Sequence, residues 1–109
     1  MNKRSYHKFF NNFANPLKID IIFSLKNKGR SVNELIKELN IEQSRLSHAL
    51  QGLRKCGIVQ VFDNGRERIY SLNEKYILPM IELLDNHAKE HCGGVCLNNQ
   101  KCWEIKKST

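Results

Sequence analysis

A chain of 109 residues is long enough for one domain with its own core, and small enough that contact with a second copy would add stability. Its 40% hydrophobic and 27% charged residues are ordinary for a soluble globular protein, and the apolar run from Ile19 to Leu25 is too short, and carries Asp20, for a membrane span. Eighteen Lys and Arg against eleven Asp and Glu leave a formal charge of +7, which favours a polyanion as partner.

The basic start, Met1 to Ser5, has no apolar stretch behind it, so no signal peptide is expected and the cytoplasm is the expected compartment. Four cysteines in a reducing compartment read as thiols, metal ligands or redox sensors before structural disulfides.

Tyr6, Phe9, Phe10 and Phe13 fall at helical spacing and predict a first helix with an aromatic stripe, suited to a core or an interface. Asn15 and Pro16 predict the cap and first turn of a second helix, continued by Ile19, Ile22, Phe23 and Lys26 and ended at Lys28-Gly29-Arg30 by a glycine in the left-handed region. Ser31 and Glu34 form a capping-box pattern at the head of a third helix, whose buried face is Leu35, Ile36 and Leu39. Asn40 then takes the turn, as a residue tolerant of positive φ, and Ile41 tucks that turn into the core.

The fourth helix runs from about Glu42 to Lys55, with Leu46, Leu50 and Leu53 pointing inward. Gln43, Ser44, Arg45, Ser47, His48 and Gln51 are left on or near its outer face. Two short helices joined by a tight turn, the second presenting polar and basic groups, are the arrangement that lays a recognition helix in a DNA major groove. Arg45 and Gln51 are able to make paired hydrogen bonds to base edges, while Gln43, Ser44 and Ser47 reach bases or phosphates. The plainer reading is a solvated helix face. It is the weaker one here because a capped partner helix precedes this element and a hairpin follows it.

After Gly57 the period changes to two. Ile58, Val59 and Val61, then Ile69, Tyr70 and Leu72, flank Asp63-Asn64-Gly65-Arg66 and predict a two-stranded wing. Arg66 and Arg68 near its tip suit a minor groove or a phosphate, although exposed hairpins also carry charge for solubility. Cys56 is expected to pack as a small buried hydrophobe. A last helix carries Pro79 near its start and Ile77, Met80, Ile81, Leu84 and Ala88 on one side, and Gly93-Gly94 should break it.

Residues from about Phe10 to Leu72 resemble the ArsR/SmtB family of winged-helix repressors. The resemblance rests on the segments Ala14 to Ile22, Ser31 to Leu35, Gln43 to Leu50, Leu53 to Val59 and Asn64 to Leu72, in the family's order. It implies a homodimer through the first and last helices that binds an imperfect palindrome in double-stranded DNA and is released by a metal or another thiol-reactive effector. His48 and Ala49 stand where the family commonly has arginine and histidine, so the family's DNA sequence preference does not carry over. The thiolate site that many arsenic and cadmium sensors of the family hold would need cysteines near Val32 to Ile36, and there are none. The family's zinc site on the last helix begins with an Asp-x-His pair, which Asp85 and His87 match, but its second pair does not follow at the expected spacing. His91 lies one helical turn beyond His87 on the same face, a geometry able to chelate a metal; a plain pair of surface or interface histidines is the alternative.

His91, Cys92, Cys96 and Cys102 concentrate three thiols and an imidazole near the end of the chain. Three thiolates suit arsenite or another soft ion, and with one histidine they make a tetrahedral Zn(II) set. The same ligands suit an iron–sulfur cluster, Cys92 and Cys96 could close a regulatory disulfide, and a loose tail with incidental cysteines is the plainest account.

The expectation is a mainly α, dimeric winged helix-turn-helix of about five helices and a two-stranded hairpin over 1–91, followed by a cysteine-containing tail over 92–109. The function expected is that of a sequence-specific repressor released through the terminal thiols. The alternative is a constitutive DNA-binding or interaction module whose tail is a structural zinc or iron–sulfur site. No nucleophile–base pair, phosphate loop or paired carboxylates point to an enzyme.

Overall fold

The structure, a computed structural model, describes residues 1–92. Cys96, Cys102 and the expected break at Gly93-Gly94 lie outside the described residues, as does the side chain of Cys92. The chain divides into two units, Met1–Asn73 and Glu74–Thr109.

In the first unit, α1 (Lys3–Ala14) begins where the Asn2 side chain accepts a hydrogen bond from the Ser5 N–H. Its aromatic stripe forms a continuous ring cluster, with Phe9 edge-on to Phe10 at 5.2 Å and 5.5 Å from Phe13. Among the described residues Tyr6 and Phe10 stay about half exposed, and Phe9 and Phe13 are half-buried. α2 (Pro16–Ser24) starts as expected, with Asn15 accepting from the Lys18 N–H and Pro16 in the first turn.

The end of α2 corrects the sequence reading. It stops at Ser24 with Leu25 as its cap, before Lys26, and Phe23 is exposed while Ile21, Ile22 and Leu25 are core. Gly29 does not end the helix at positive φ. It is needed instead for close approach, because a Cβ there would lie 2.9 Å from Ile69 Cγ2 and 3.2 Å from the Tyr70 carbonyl oxygen. That approach creates a strand the periodicity could not show. β1 (Arg30–Ser31) pairs antiparallel with the second wing strand, so among the described residues the sheet has three strands and not two, with that wing strand in the middle. Two residues carry no alternation to read, and tertiary contact alone defines them. Arg30 fixes the junction by donating from Nε to the Ser24 carbonyl at 2.8 Å and lying 3.2 Å from a Glu38 carboxylate oxygen.

α3 (Val32–Leu39) carries the full capping box and ends at Asn40, which adopts φ 50 and ψ 57. Leu35 is fully buried; Ile36, Leu39 and Ile41, expected in the core, are only half-buried at the edge of this small domain. α4 (Gln43–Lys55) buries Leu46, Ala49, Leu50 and Leu53. It terminates in a Schellman motif: Gly57, at φ +70, donates to the Arg54 carbonyl and Ile58 donates to the Leu53 carbonyl. Ile58 and Leu53, the apolar pair of that motif, are both fully buried. Cys56 caps the helix half-buried, and so less enclosed than expected.

β2 (Val59–Asn64) and β3 (Glu67–Leu72) pair from Val59↔Leu72 to Asn64↔Glu67. The loop is therefore only Gly65-Arg66, and Asp63 and Asn64 belong to the strand. Gly65 sits at φ +66, as the first position of a two-residue hairpin turn requires. Val59, Tyr70 and Leu72 face the core, and Asn73 closes the sheet by bonding back to Gly57 and Ile58.

The described part of the second unit is a turn and α5 (Ile77–Cys92). Ile77 and Ile81 are its buried positions, Met80 and Ala88 are half-buried, and Leu84, expected with them, is exposed, as is Leu83. Among the described residues no helix is long and apolar enough to cross a membrane.

Candidate nucleic-acid interface

The heptad-like placement of Leu46, Leu50 and Leu53 seats α4 on the core and turns its other side outward. Gln43, Ser44, Arg45, Ser47, His48 and Gln51 are all exposed, as the sequence predicted. Asn40 makes this possible. Its left-handed backbone reverses the chain between α3 and α4 without a glycine, and a non-Gly, non-Asn residue there would strain.

Two polar grooves flank α4. On the wing side a groove is lined by Gln43 and Ser47 of α4, by Arg66, Glu67, Arg68 and Tyr70 of the hairpin, and by Asn33 of α3. Arg54 extends the same wall, beside Ser47, Gln51 and Arg68. On the other side, Ser44, Arg45 and His48 face Asn15 and Lys18 of α2. A convex helix between two polar walls is shaped to enter a duplex groove with a backbone strand along each flank.

The basic side chains here differ in whether an acid occupies them. Arg68 lies opposite Asp63 across the hairpin, with 3.9 Å between Nε and the carboxylate, an exposed pair worth little. Arg30 is held by Glu38. Among the described residues no carboxylate pairs with Lys18, Arg45, Arg54 or Arg66. The Ser44 hydroxyl donates to the Glu42 carboxylate, which leaves its oxygen lone pairs for an incoming donor.

The Ser31 backbone N–H donates to the Glu34 carboxylate and holds that carboxyl below the usual glutamate range, assisted by the Ser31 hydroxyl and the charges of Lys28 and Arg30. This group supports the cap of α3 and lies outside the contact face.

Sequence reasoning missed Asn15, Lys18, Asn33 and Arg54. Arg54 was legible, since it continues the Ser47–Gln51 stripe at helical spacing. The other three lie on different elements, and only the packing brings them to α4.

The candidate metal ligands separate differently. His87 and His91 converge on one face of α5, with ring centroids 4.2 Å apart. Asp85 and His87, two residues apart on one helix, point to different faces. Among the described residues no group of three or more His, Cys, Asp or Glu is arranged to hold a metal ion. Two imidazoles alone fall short of the four donors of a tetrahedral site, and Cys96 and Cys102 lie outside the described residues.

Residues 15–61 match the family described as "Bacterial regulatory protein, arsR family". The chain is 31% identical over 81 residues to the HTH-type transcriptional regulator NmtR of Mycobacterium tuberculosis, covering 73% of this chain and 68% of that protein. It is 38% identical over 66 residues to the HTH-type transcriptional regulator Rv0081 of the same organism, covering 60% of this chain and only 58% of the relative's length. The crystal structure of Rv0081 superposes with a TM-score of 0.71 at 30% identity, over 78% of this chain and 86% of that one. HlyU from Vibrio cholerae, a transcriptional activator, superposes with a TM-score of 0.68 at 31% identity, over 79% of this chain and 96% of its own.

Proposed function

The chain belongs to the arsR family of bacterial regulatory proteins, DNA-binding transcriptional regulators and not enzymes, and from that premise we propose that it is a homodimeric repressor of the cytoplasm whose hold on an imperfect palindromic operator is released through its C-terminal thiols. The observation that carries the DNA-binding part is α4 itself: its apolar face is locked on the core while six polar residues stand exposed between two polar walls. Arg45 and Gln51 read base edges, and Arg66 and Arg68 of the wing contact the backbone or the minor groove. Phosphate contacts supply most of the affinity and make it steeply salt-dependent.

A homodimer fits the half-exposed Tyr6 and Phe10 of α1, an apolar surface that a second copy would cover. It also fits a palindromic operator, since two-fold protein symmetry is matched by two-fold site symmetry.

For the signal, Cys92, Cys96 and Cys102 with His91 offer a donor set for Zn(II) or As(III), and His91 stands on the last turn of α5 beside His87. Oxidation of two of these thiols to a disulfide is the redox form of the same switch. Coupling is reciprocal, so operator DNA must weaken the effector by the factor by which the effector weakens DNA.

Fluorescence anisotropy of a labelled duplex from the region upstream of its own coding sequence tests both parts. Reduced, anaerobic protein is titrated onto it and then challenged separately with arsenite, Zn(II) and an oxidant. Release by one of these, abolished when Cys92, Cys96 and Cys102 become Ser, supports the sensor. Tight binding indifferent to all three assigns the thiols a structural role, and no preference over mixed-sequence duplex removes the repressor reading.

A further inference from the structure

We infer that Lys18 is a DNA phosphate contact on the flank of the recognition helix away from the wing, held ready there by Asn12 and by the missing side chain of Gly52. The inference rests on the DNA-binding reading above and adds a residue on α2.

Three observations meet at this lysine. Its Nζ donates to the Asn12 side-chain oxygen at 3.1 Å. Asn12 is 2% exposed, and its amide nitrogen is anchored to the Lys8 and Phe9 carbonyls of its own helix, so the oxygen it offers Lys18 is fixed in place. The same ammonium lies over Gly52 of α4, where a Cβ would come within 2.9 Å of Nζ and 3.4 Å of Cε. An otherwise flexible four-carbon stem is thereby held by α1 on one side and by a gap in α4 on the other.

The charge so held is not spent. Asn12 is neutral, and among the described residues no carboxylate pairs with Lys18. An ammonium has three donors and Asn12 uses one. Lys18 lines the groove shared with Arg45, His48 and Ser44, on the opposite flank of α4 from Arg54, Arg66 and Arg68. A helix lying in a major groove has a phosphate backbone along each flank, and the wing serves only one of them. Lys18 with Arg45 serves the other. Pre-ordering also lowers the side-chain entropy lost when the phosphate binds.

The test is the salt dependence of binding of the full-length protein to two duplexes, one from its own upstream region and one of mixed sequence. Lys18→Gln is expected to weaken both about equally, roughly tenfold, and to reduce the slope of log K against log[salt] by about 0.9 for each subunit bound. Lys18→Arg, which keeps the cation, retains the wild-type slope. Lost affinity with an unchanged slope, or no loss at all, overturns the assignment and leaves Lys18 a structural residue. Gly52→Ala covers the case in which Lys18→Gln fails to fold, since the new methyl meets only the far end of the lysine and pushes its ammonium off Asn12. It is expected to weaken both duplexes alike, and unchanged affinity in a folded variant would equally overturn the assignment. Failure of the wild-type protein to bind either duplex would instead sink the DNA-binding reading itself.

Discussion

Ser31 and Glu34 satisfy each other's backbone: the Glu34 N–H donates to the Ser31 hydroxyl at 3.2 Å, and the Ser31 N–H donates to the Glu34 carboxylate at 3.1 Å. Ser31 is also the second residue of β1, so one residue begins the helix that supports α4 and pairs with Ile69 of the wing. Ser31→Ala removes the cap oxygen and is expected to destabilise the protein by about 1 kcal/mol, read as a lower urea midpoint with an unchanged m-value.

The same pair predicts a pH dependence. The folded-state pKa of Glu34 is depressed, so its contribution is fully present above the ordinary glutamate value and is lost as pH falls through the lowered folded value. The stability difference between wild type and Glu34→Gln should therefore hold through neutral and mildly acidic solution. It should close only below the ordinary carboxylate range. Urea midpoints measured across that range check the sign, and a difference that grew on acidification would contradict it.

Gly29→Ala should cost about 1–3 kcal/mol, because its methyl meets Ile69 and the Tyr70 backbone, neither of which is a mobile side-chain end. Loss of β1 pairing should accompany it, visible as faster amide exchange at Tyr70 and Ile69.

Asn40→Ala is expected to destabilise by about 1–2 kcal/mol because alanine resists the left-handed region, while Asn40→Gly should be tolerated. Thermal melts of the two variants separate backbone strain from a lost side-chain contact.

These positions show what the sequence made legible. The capping box, the Asn40 turn, the outer face of α4 and the hairpin centred on Gly65 were all readable, because each is a local signal within a few residues. The early end of α2, the role of Gly29 and the third strand were not. The cause of the last two lies some forty residues away in β3. The half-burial of Ile36, Leu39 and Ile41 escaped for a related reason, since periodicity gives a direction but not the thickness of what covers it. The surface beside α4 shows the same division. The exposure of the α4 residues was readable from spacing, whereas Lys18, Asn15 and Asn33 come to line the grooves beside that helix only through packing.

Base readers and phosphate contacts should separate in binding measurements. Arg45→Ala or Gln51→Ala is expected to lower the preference for the protein's own upstream duplex over mixed sequence, by about 1–3 kcal/mol for a bidentate base contact. Arg66→Ala should weaken both duplexes together and lower the salt slope by about 1 for each subunit. Competition anisotropy with the two duplexes reads both effects.

The Schellman end of α4 has a consequence for what the protein can measure on a duplex. Ile58 is bonded to Leu53 and the first wing strand begins one residue later, so no slack separates the helix that would read bases from the hairpin that would grip the backbone. The stretch from α4 to the wing is then a ruler of fixed length, set for one offset between two points of contact. The α4–β2 junction has no joint with which to follow a half-site of different width or twist. Accommodation of such a site would fall to bending of the DNA or, in the dimer proposed above, to the seam between the two copies.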